Sequence, residues 1–328
     1  MRRAWSALAI VLLAASAKAD EGVLLRYKWV EGQQFSWATS TVESGTTTVT
    51  GTEGRRIQGG TTKVSKTVYV RVDKVTPEGL ADLHISFGLV ITDQDDGKGN
   101  KSHTEMNPLD GAMAVGDGPN RTTVKRTLGA GELYLKGFTA VVDDRGQVRE
   151  VRDNEALAKL LAGRADAAEL LKRAAATGLA ALPLLPEKAV KPGDEWQVDT
   201  LSTRGGLMEY APGNEPVMAT LRYEGDEKVG EVACRRISLH SAGADIDLDT
   251  PAAVNDGLEA ETHLSKFRIS GDFYLSVEDG LVRQAKTSSA LGLTVHVYGT
   301  QTSPGGETKV DVTATSGNHL KVEEIKRQ

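Results

Sequence analysis

The sequence predicts a mainly β protein with a helical insertion: duplicated antiparallel sheets, curved or closed into half-barrels, with a helix covering the apolar face. Three observations carry this. Apolar and polar residues alternate with period two along most of the chain, as at Val68, Val70 and Val72, the pattern of strands that bury one face and wet the other. One stretch near the middle switches to 3.6-residue spacing, the mark of an amphipathic helix. The β patterns before and after that stretch resemble each other, and self-similarity at long period signals a repeated unit.

The joint between the halves is 182–199, LPLLPEKAVKPGDEWQVD. Pro183, Pro186 and Pro192 each fix φ and lack an N–H, so no helix passes through them. Gly193 and Asp194 then form a turn, and Trp196 and Val198 open a strand.

In chain order, the first nineteen residues read as a cleaved export signal. Arg2 and Arg3 precede an apolar run, ALAIVLLAA, too short to anchor in a bilayer, and Ala17-Lys18-Ala19 makes a small-x-small cleavage site. No later run approaches the apolar length of a membrane-spanning helix, so a periplasmic or extracellular chain without a transmembrane segment is expected. Net charge is −6, and the signal accounts for three of the 39 basic residues and none of the 45 acidic ones. Such a chain lacks the Lys/Arg excess that neutralises phosphates, so nucleic acid is not an expected partner. Cys234 is the only cysteine, which excludes an internal disulfide and reads as a small core residue.

Residues 23–30 alternate, with Leu25, Tyr27 and Trp29 on one side and Arg26 and Lys28 on the other. They read as a strand, followed by a turn and a second strand through Phe35, Trp37 and Thr39. The Thr/Gly-rich run 43–63 reads as a hairpin tip or a solvated strand pair. Strands follow at 67–75 and 80–92. Residues 93–120, rich in Asp, Gly and Asn, read as a long loop of the kind that serves function or stays disordered. Strands at 122–128 and 133–142 and a return at 147–151 close the first half. Asp153 then caps a helix carrying Leu157, Leu160, Leu161, Leu171 and Leu179, and Gly163 leaves open one bent helix or two short ones. The second half is β again, with Gly271 and Gly292 as candidate bulges or corners. The resulting division is a signal (1–19), a first β repeat (20–152), a helical segment with its elbow (153–192) and a second β repeat (193–328).

Two stretches carry the duplication. Leu133, Leu135, Gly137, Gly146, Val148 and Arg149 match Phe267, Ile269, Gly271, Gly280, Val282 and Arg283 at a constant offset of 134. Gly32, Phe35, Trp37 and Thr39 match Gly193, Trp196, Val198 and Thr200 at an offset of 161.

The pattern Pro186-x-Lys188-x-Val190-Lys191-x-Gly193-Asp194-x-Trp196, following a Leu/Ala-rich helix, resembles a family of uncharacterised exported bacterial proteins. The resemblance implies export and a β-rich fold but no reaction. The layout is also loosely similar to periplasmic half-barrels that carry lipid moieties, at the level of fold only.

Catalytic templates fail. G-x-S-x-G, S-x-x-K, H-E-x-x-H and the P-loop are all missing from the sequence. The six histidines never fall at i,i+2 or i,i+4, so a hydrolytic site would need His240 or His263 to meet Asp and Ser across the fold. An enzyme is not expected, nor a cofactor. Asp245, Asp247 and Asp249 share one face of a strand, with Asn255 and Asp256 close behind. Oxygens grouped so can hold Ca²⁺, but an EF-hand loop needs Gly where Thr250 stands and Glu where Asp256 stands. A solvated strand face explains them as well, so they are weak metal candidates.

The expected function is a binding module for an apolar small molecule or lipid, or for an envelope protein. Leu157, Leu160, Leu171, Trp37 and Trp196 are the candidate groove residues. The alternatives are an interaction subunit docking through 93–120, and a secreted hydrolase.

Overall fold

The computed structural model describes residues 22–51, 54–116, 121–128, 130–179, 181–200, 209–210, 215–241, 243–250, 259–300 and 303–324. The expected signal, Asn255 and Asp256 lie outside them. The described residues form one antiparallel network of sixteen strands, open at its ends rather than closed into a barrel.

A first meander runs β1 (Gln34–Gly51), β2 (Gly54–Val75) and β3 (Ala81–Asp95). Beyond Asp95 the chain forms β4 (Lys101–Met106), β5 (Ala112–Val115) and β6 (Thr122–Lys125), a branch off the far end of β3. Much of the expected 93–120 loop is therefore ladder. The Asp/Gly run makes only a tight turn, in which the Asp96 carboxylate accepts the N–H groups of Lys98 and Asn100. The Ser/Thr/His residues beyond it pair with β3. The near end of β3 pairs with β7 (Phe138–Val142), which pairs with β8 (Val148–Arg152). The expected strand at 133–142 is shorter than its pattern, because Ala130–Lys136 is a 3-10 turn ending at Gly137, φ +89°.

Two helices follow, α1 (Glu155–Leu160) and α2 (Ala167–Gly178), parted at Gly163, φ +86°. Asn154 rather than Asp153 caps α1: its Oδ1 accepts from Leu157 N at 2.9 Å.

A second meander repeats the first. It runs β9 (Glu195–Asp199), then, past β10 (Glu209–Tyr210), β11 (Met218–Val229) and β12 (Val232–Ser241). Next come β13 (Ala244–Thr250), β14 (Glu259–Ser276) and β15 (Val282–Thr300). The pairing order β1-β2-β3-β7-β8 recurs as β9-β11-β12-β14-β15. The likeness extends to single hydrogen bonds. Gly32 N donates to Val72 O and Val72 N to Gln33 O, just as Gly193 N donates to Tyr223 O and Tyr223 N to Asp194 O. Bulges recur at the same points, after Val72 and Tyr223 and before Val142 and Leu275. Strand β16 (Ser303–Glu324) joins the meanders by pairing with both β1 and β15.

The ungapped match of 133–149 to 267–283 slips by one residue in space. Hydrogen bonding equates Val142 with Leu275, since Val142 pairs with Val148 and Leu275 with Val282. The second hairpin turn thus holds one more residue. Leu133 and Leu135 lie in the 3-10 turn, whereas Phe267 and Ile269 are strand residues. Gly271 is no bulge: a Cβ there would stand 2.3 Å from Lys286 O, so glycine permits a close ladder. Gly292 does border a bulge, pairing with Ser265 next to the Ser265/Arg268 shift.

The segment 23–30 keeps its predicted alternation, with Leu25, Tyr27 and Trp29 buried. It is not a ladder strand, however, and its one bridge joins Val23 to Val190 in the elbow. Tyr27, Trp29, Phe35 and Trp37 form a run of successive ring contacts, with centroids 5.0, 6.5 and 5.8 Å apart. Tyr27 N–H donates to Asp144 O in the first meander's hairpin turn. The Lys28 ammonium donates to Val277 O and Glu278 O in the second's. One extended segment thereby ties both hairpins.

Candidate functional site

Each meander presents side chains in layers across its strands, and register makes the layers comparable. At the base stand Val72, Leu83 and Ala140 in the first meander and Tyr223, Ile237 and Phe273 in the second. Above them are Phe35, Val70, Ile85 and Phe138 against Trp196, Leu221, Leu239 and Gly271. The third layer is Trp37, Val68 and Phe87 against Val198, Ala219 and Ser241. Going up, the second meander loses side chain where the first keeps rings: Phe138 becomes Gly271, Trp37 becomes Val198, and Phe87 becomes Ser241.

The two faces are covered differently. Helix α2 closes the first. Ala175 and Leu179 join its core, and Gly178 lies so close that a Cβ would meet Phe138 Cζ at 3.2 Å and Phe87 Cζ at 3.3 Å. The second face is covered by the proline elbow. Leu182, Pro183 and Leu184 lie over Val198, Ala219, Leu221, Leu239, Ile269 and Phe273, with Thr200 the polar neighbour among the described residues, around a void of about 30 Å³. The elbow makes little ladder of its own, so its backbone groups are met from the side. Trp196 Nε1 donates to Leu184 O at 2.8 Å, Tyr27 Oη to Pro183 O at 2.8 Å, and Leu185 N to Arg145 O at 2.9 Å. Complete burial pushes the Tyr27 phenol well above its ordinary value, so it serves as a neutral donor.

Of the expected groove residues, Trp37, Leu157, Leu160 and Leu171 sit away from this crevice and Trp196 borders it. Trp37 is 1% exposed within the first meander's core. Leu157 belongs to a separate cluster with Leu161, Leu170 and Ala174, and Leu160 and Leu171 pack on that cluster. Trp196 borders the crevice through its bond to Leu184 O. Among the described residues α2 therefore covers the first copy, because it packs on β8 and the 3-10 turn that precedes β7. The crevice residues Val198, Ala219, Leu221, Leu239 and Ile269 look like ordinary strand core in sequence. Only comparison with the first copy at correct register singles them out.

The acidic strand is occupied by a histidine. His263, on β14 opposite β13, places Nε2 2.7 Å from an Asp245 oxygen and Nδ1 2.7 Å from an Asp247 oxygen. Both nitrogens can donate only in the imidazolium. The Asp247 hydrogen bond raises its pKa, with the Asp245 and Asp247 charges adding and desolvation opposing. Asp249 holds a register position between Glu209 and Glu261. Among the described residues no group of three His, Cys, Asp or Glu side chains could hold a metal ion. A raised folded pKa means that the clamp's stabilisation is complete below the unfolded histidine value and fades as pH rises through the folded one. A two-dimensional NMR titration is expected to give His263 a midpoint above 6.5, the ordinary value. Asp247→Asn is expected to lower that midpoint, and an unmoved midpoint would show that the clamp does not form.

No family model and no curated protein matches this chain. Among solved structures, lipovitellin, from a study of its lipid–protein interactions, aligns with 92% of this chain and 26% of its own length at 6% identity and a TM-score of 0.38. The chain thus spans about a quarter of that protein. Salmonella typhi OmpF in complex with daunomycin covers 87% of this chain and 98% of its own at 6% identity, TM-score 0.18. The Pseudomonas aeruginosa outer membrane protein OpdK covers 88% and 99% at 7% identity, TM-score 0.15. TM-scores this low establish neither a common fold nor a common activity.

Proposed function

We propose that this chain is an exported, non-enzymatic binding module that takes an apolar chain into the face of its second meander, beneath the proline elbow. The observation that carries this reading is the loss of rings between equivalent layers: Trp37, Phe87 and Phe138 fill the first face, whereas among the described residues Val198, Ser241 and Gly271 hold the equivalent places in the second, and the elbow lies over it. The second face is closed by elbow side chains instead of strand rings, and such a cover can move where ladder residues cannot. A void of about 30 Å³ holds little more than a water molecule. An apolar chain therefore enters by lifting Leu182 and Leu184, which among the described residues are held by the Leu182 N bond to Leu179 O and the Trp196 Nε1 bond to Leu184 O rather than by a strand ladder. Export follows from the signal-like first nineteen residues, and among the described residues no helix is long and apolar enough to cross a membrane.

The test is native mass spectrometry of the purified protein, with organic extraction of bound material, alongside titration with the neutral fluorophore N-phenyl-1-naphthylamine. Wild type is expected to carry or bind one apolar molecule. Ala219→Leu refills the crevice and is expected to weaken probe binding at least tenfold, while costing about 1–3 kcal/mol through overpacking. Probe affinity unchanged in a folded Ala219→Leu protein would place binding elsewhere. An empty wild type that ignores the probe would end the reading.

A further inference from the structure

An open cavity of about 300 Å³ lies where the turn between β4 and β5, the end of β6 and the 3-10 turn meet. Lys125, Arg126 and Lys136 line it together with Leu109. Its carboxylate among the described residues is Asp110, whose Oδ1 already accepts Ala112 N at 2.9 Å. Arg126 is engaged as well: its backbone N–H donates to Gly111 O at 2.9 Å and its Nη1 to Met106 Sδ at 3.3 Å. Lys125 and Lys136 differ, being exposed and making no ion pair among the described residues. Beside them Leu109 is 63% exposed, the least covered large hydrophobic among the described residues. The turn that presents it is fixed. Leu109 N donates to Asn107 Oδ1 and Gly111 N to Asn107 O, and Gly111, φ +69°, lies so close to β6 that a Cβ would strike Arg126 O. We propose that this corner docks the protein onto an anionic lipid surface. Lys125 and Lys136 meet lipid phosphates, and Leu109 enters the boundary between headgroups and acyl chains.

A single exposed leucine or lysine is ordinary surface. Here two lysines without carboxylate partners share one cavity with a leucine that a hydrogen-bonded turn holds out to water. A soluble anion would use the lysines and gain nothing from Leu109, whereas a lipid surface uses both. The chain as a whole carries a charge of −6, so an anionic surface repels most of it and turns this corner inward. The docking is independent of the crevice, which belongs to the second meander.

Co-sedimentation of the full chain with vesicles reads the docking. Wild type is expected to bind vesicles of equimolar phosphatidylcholine and phosphatidylglycerol about tenfold or more tighter than vesicles of phosphatidylcholine alone, and to weaken as salt is raised. Lys125→Gln with Lys136→Gln is expected to weaken binding about 30-fold, since each lysine near such a surface contributes about fivefold. Leu109→Ser is expected to weaken it about tenfold. All three side chains are exposed, so circular dichroism is expected to show both variants folded. Lys228→Gln with Lys286→Gln removes the same charge from β11 and β15 of the second meander and is expected to change binding less than about threefold. An equal loss from the two lysine pairs would show net charge at work rather than this corner. Unchanged binding by Leu109→Ser, or displacement by inorganic phosphate beyond that by chloride at equal ionic strength, would identify a soluble-anion site and overturn the lipid surface. Loss of vesicle binding in a folded Ala219→Leu protein would place the lipid contact at the crevice instead. Wild type that treats both vesicles alike overturns the docking and leaves the crevice reading standing.

Discussion

Replacing Trp37 with alanine is expected to cost about 3–5 kcal/mol, the range for a buried aromatic truncated in a core. Trp37 is 1% exposed and ends the ring series that begins at Tyr27. In register it stands beside Val68, which is fully buried, and Phe87 lies one strand further on. The main chains of three paired strands hold the space around it, so little collapse can offset the loss. A domain of ordinary stability would lose about a third of its total. The equivalent change in the second meander, Val198→Ala, removes two methyl groups beside a void and is expected to cost only about 1.5 kcal/mol. Urea unfolding monitored by circular dichroism measures both. Equal costs at the two positions would contradict the claim that strand rings fill the first face and not the second.

The second large effect is expected at Gly280. It sits at φ +68°, and a Cβ there would lie 2.6 Å from Arg26 O and 2.8 Å from Lys28 N. Gly280→Ala therefore adds left-handed strain of about 1–3 kcal/mol to a clash with backbone that cannot yield cheaply. The segment it strikes is the one whose Lys28 ammonium donates to Val277 O and Glu278 O and whose Tyr27 N–H donates to Asp144 O. A total loss of about 2–5 kcal/mol is expected, with faster amide exchange at Tyr27 and in the Asp143–Gly146 turn as the segment loosens. Gly146→Ala, at φ +87° and 2.7 Å from Tyr27 Cε2, meets a side-chain edge instead. It is expected to cost less, because a ring can shift where a peptide cannot. If Gly280→Ala changes stability by less than about 1 kcal/mol, the segment does not clasp the second hairpin.

Much of this was legible in the residues. Period-two alternation located most of the strands, and the prolines marked the elbow, since both are local constraints that any tertiary setting must respect. The match of Gly32, Phe35 and Trp37 to Gly193, Trp196 and Val198 at offset 161 holds at the level of single hydrogen bonds. Where reading by pattern fell short, the cause was longer-range. Residues 23–30 alternate like a strand yet join no ladder, because burial demands only the alternation and the segment meets it between two hairpin turns. The Asp/Gly run after Asp93 suggested a long loop, and much of it pairs as β4 and β5 because β3 outruns β7 and leaves its far edge free. His263 shows no motif with Asp245 and Asp247. Its place in the clamp depends on the β13–β14 register, which no local spacing encodes.

The candidate site shows the same divide more sharply. Leu157, Leu160 and Leu171 carry the correct helical spacing, but spacing says only that a face is buried, not against what. The sequence alone determined a duplicated β chain hinged at prolines around one amphipathic insertion, because backbone geometry and hydrophobic period are properties of neighbours along the chain. Which copy received the helix, and which was left beneath the elbow with valine, serine and glycine in place of rings, was decided only in three dimensions. Side chains from strands some twenty to a hundred residues apart must meet before a layer, or a gap in one, exists.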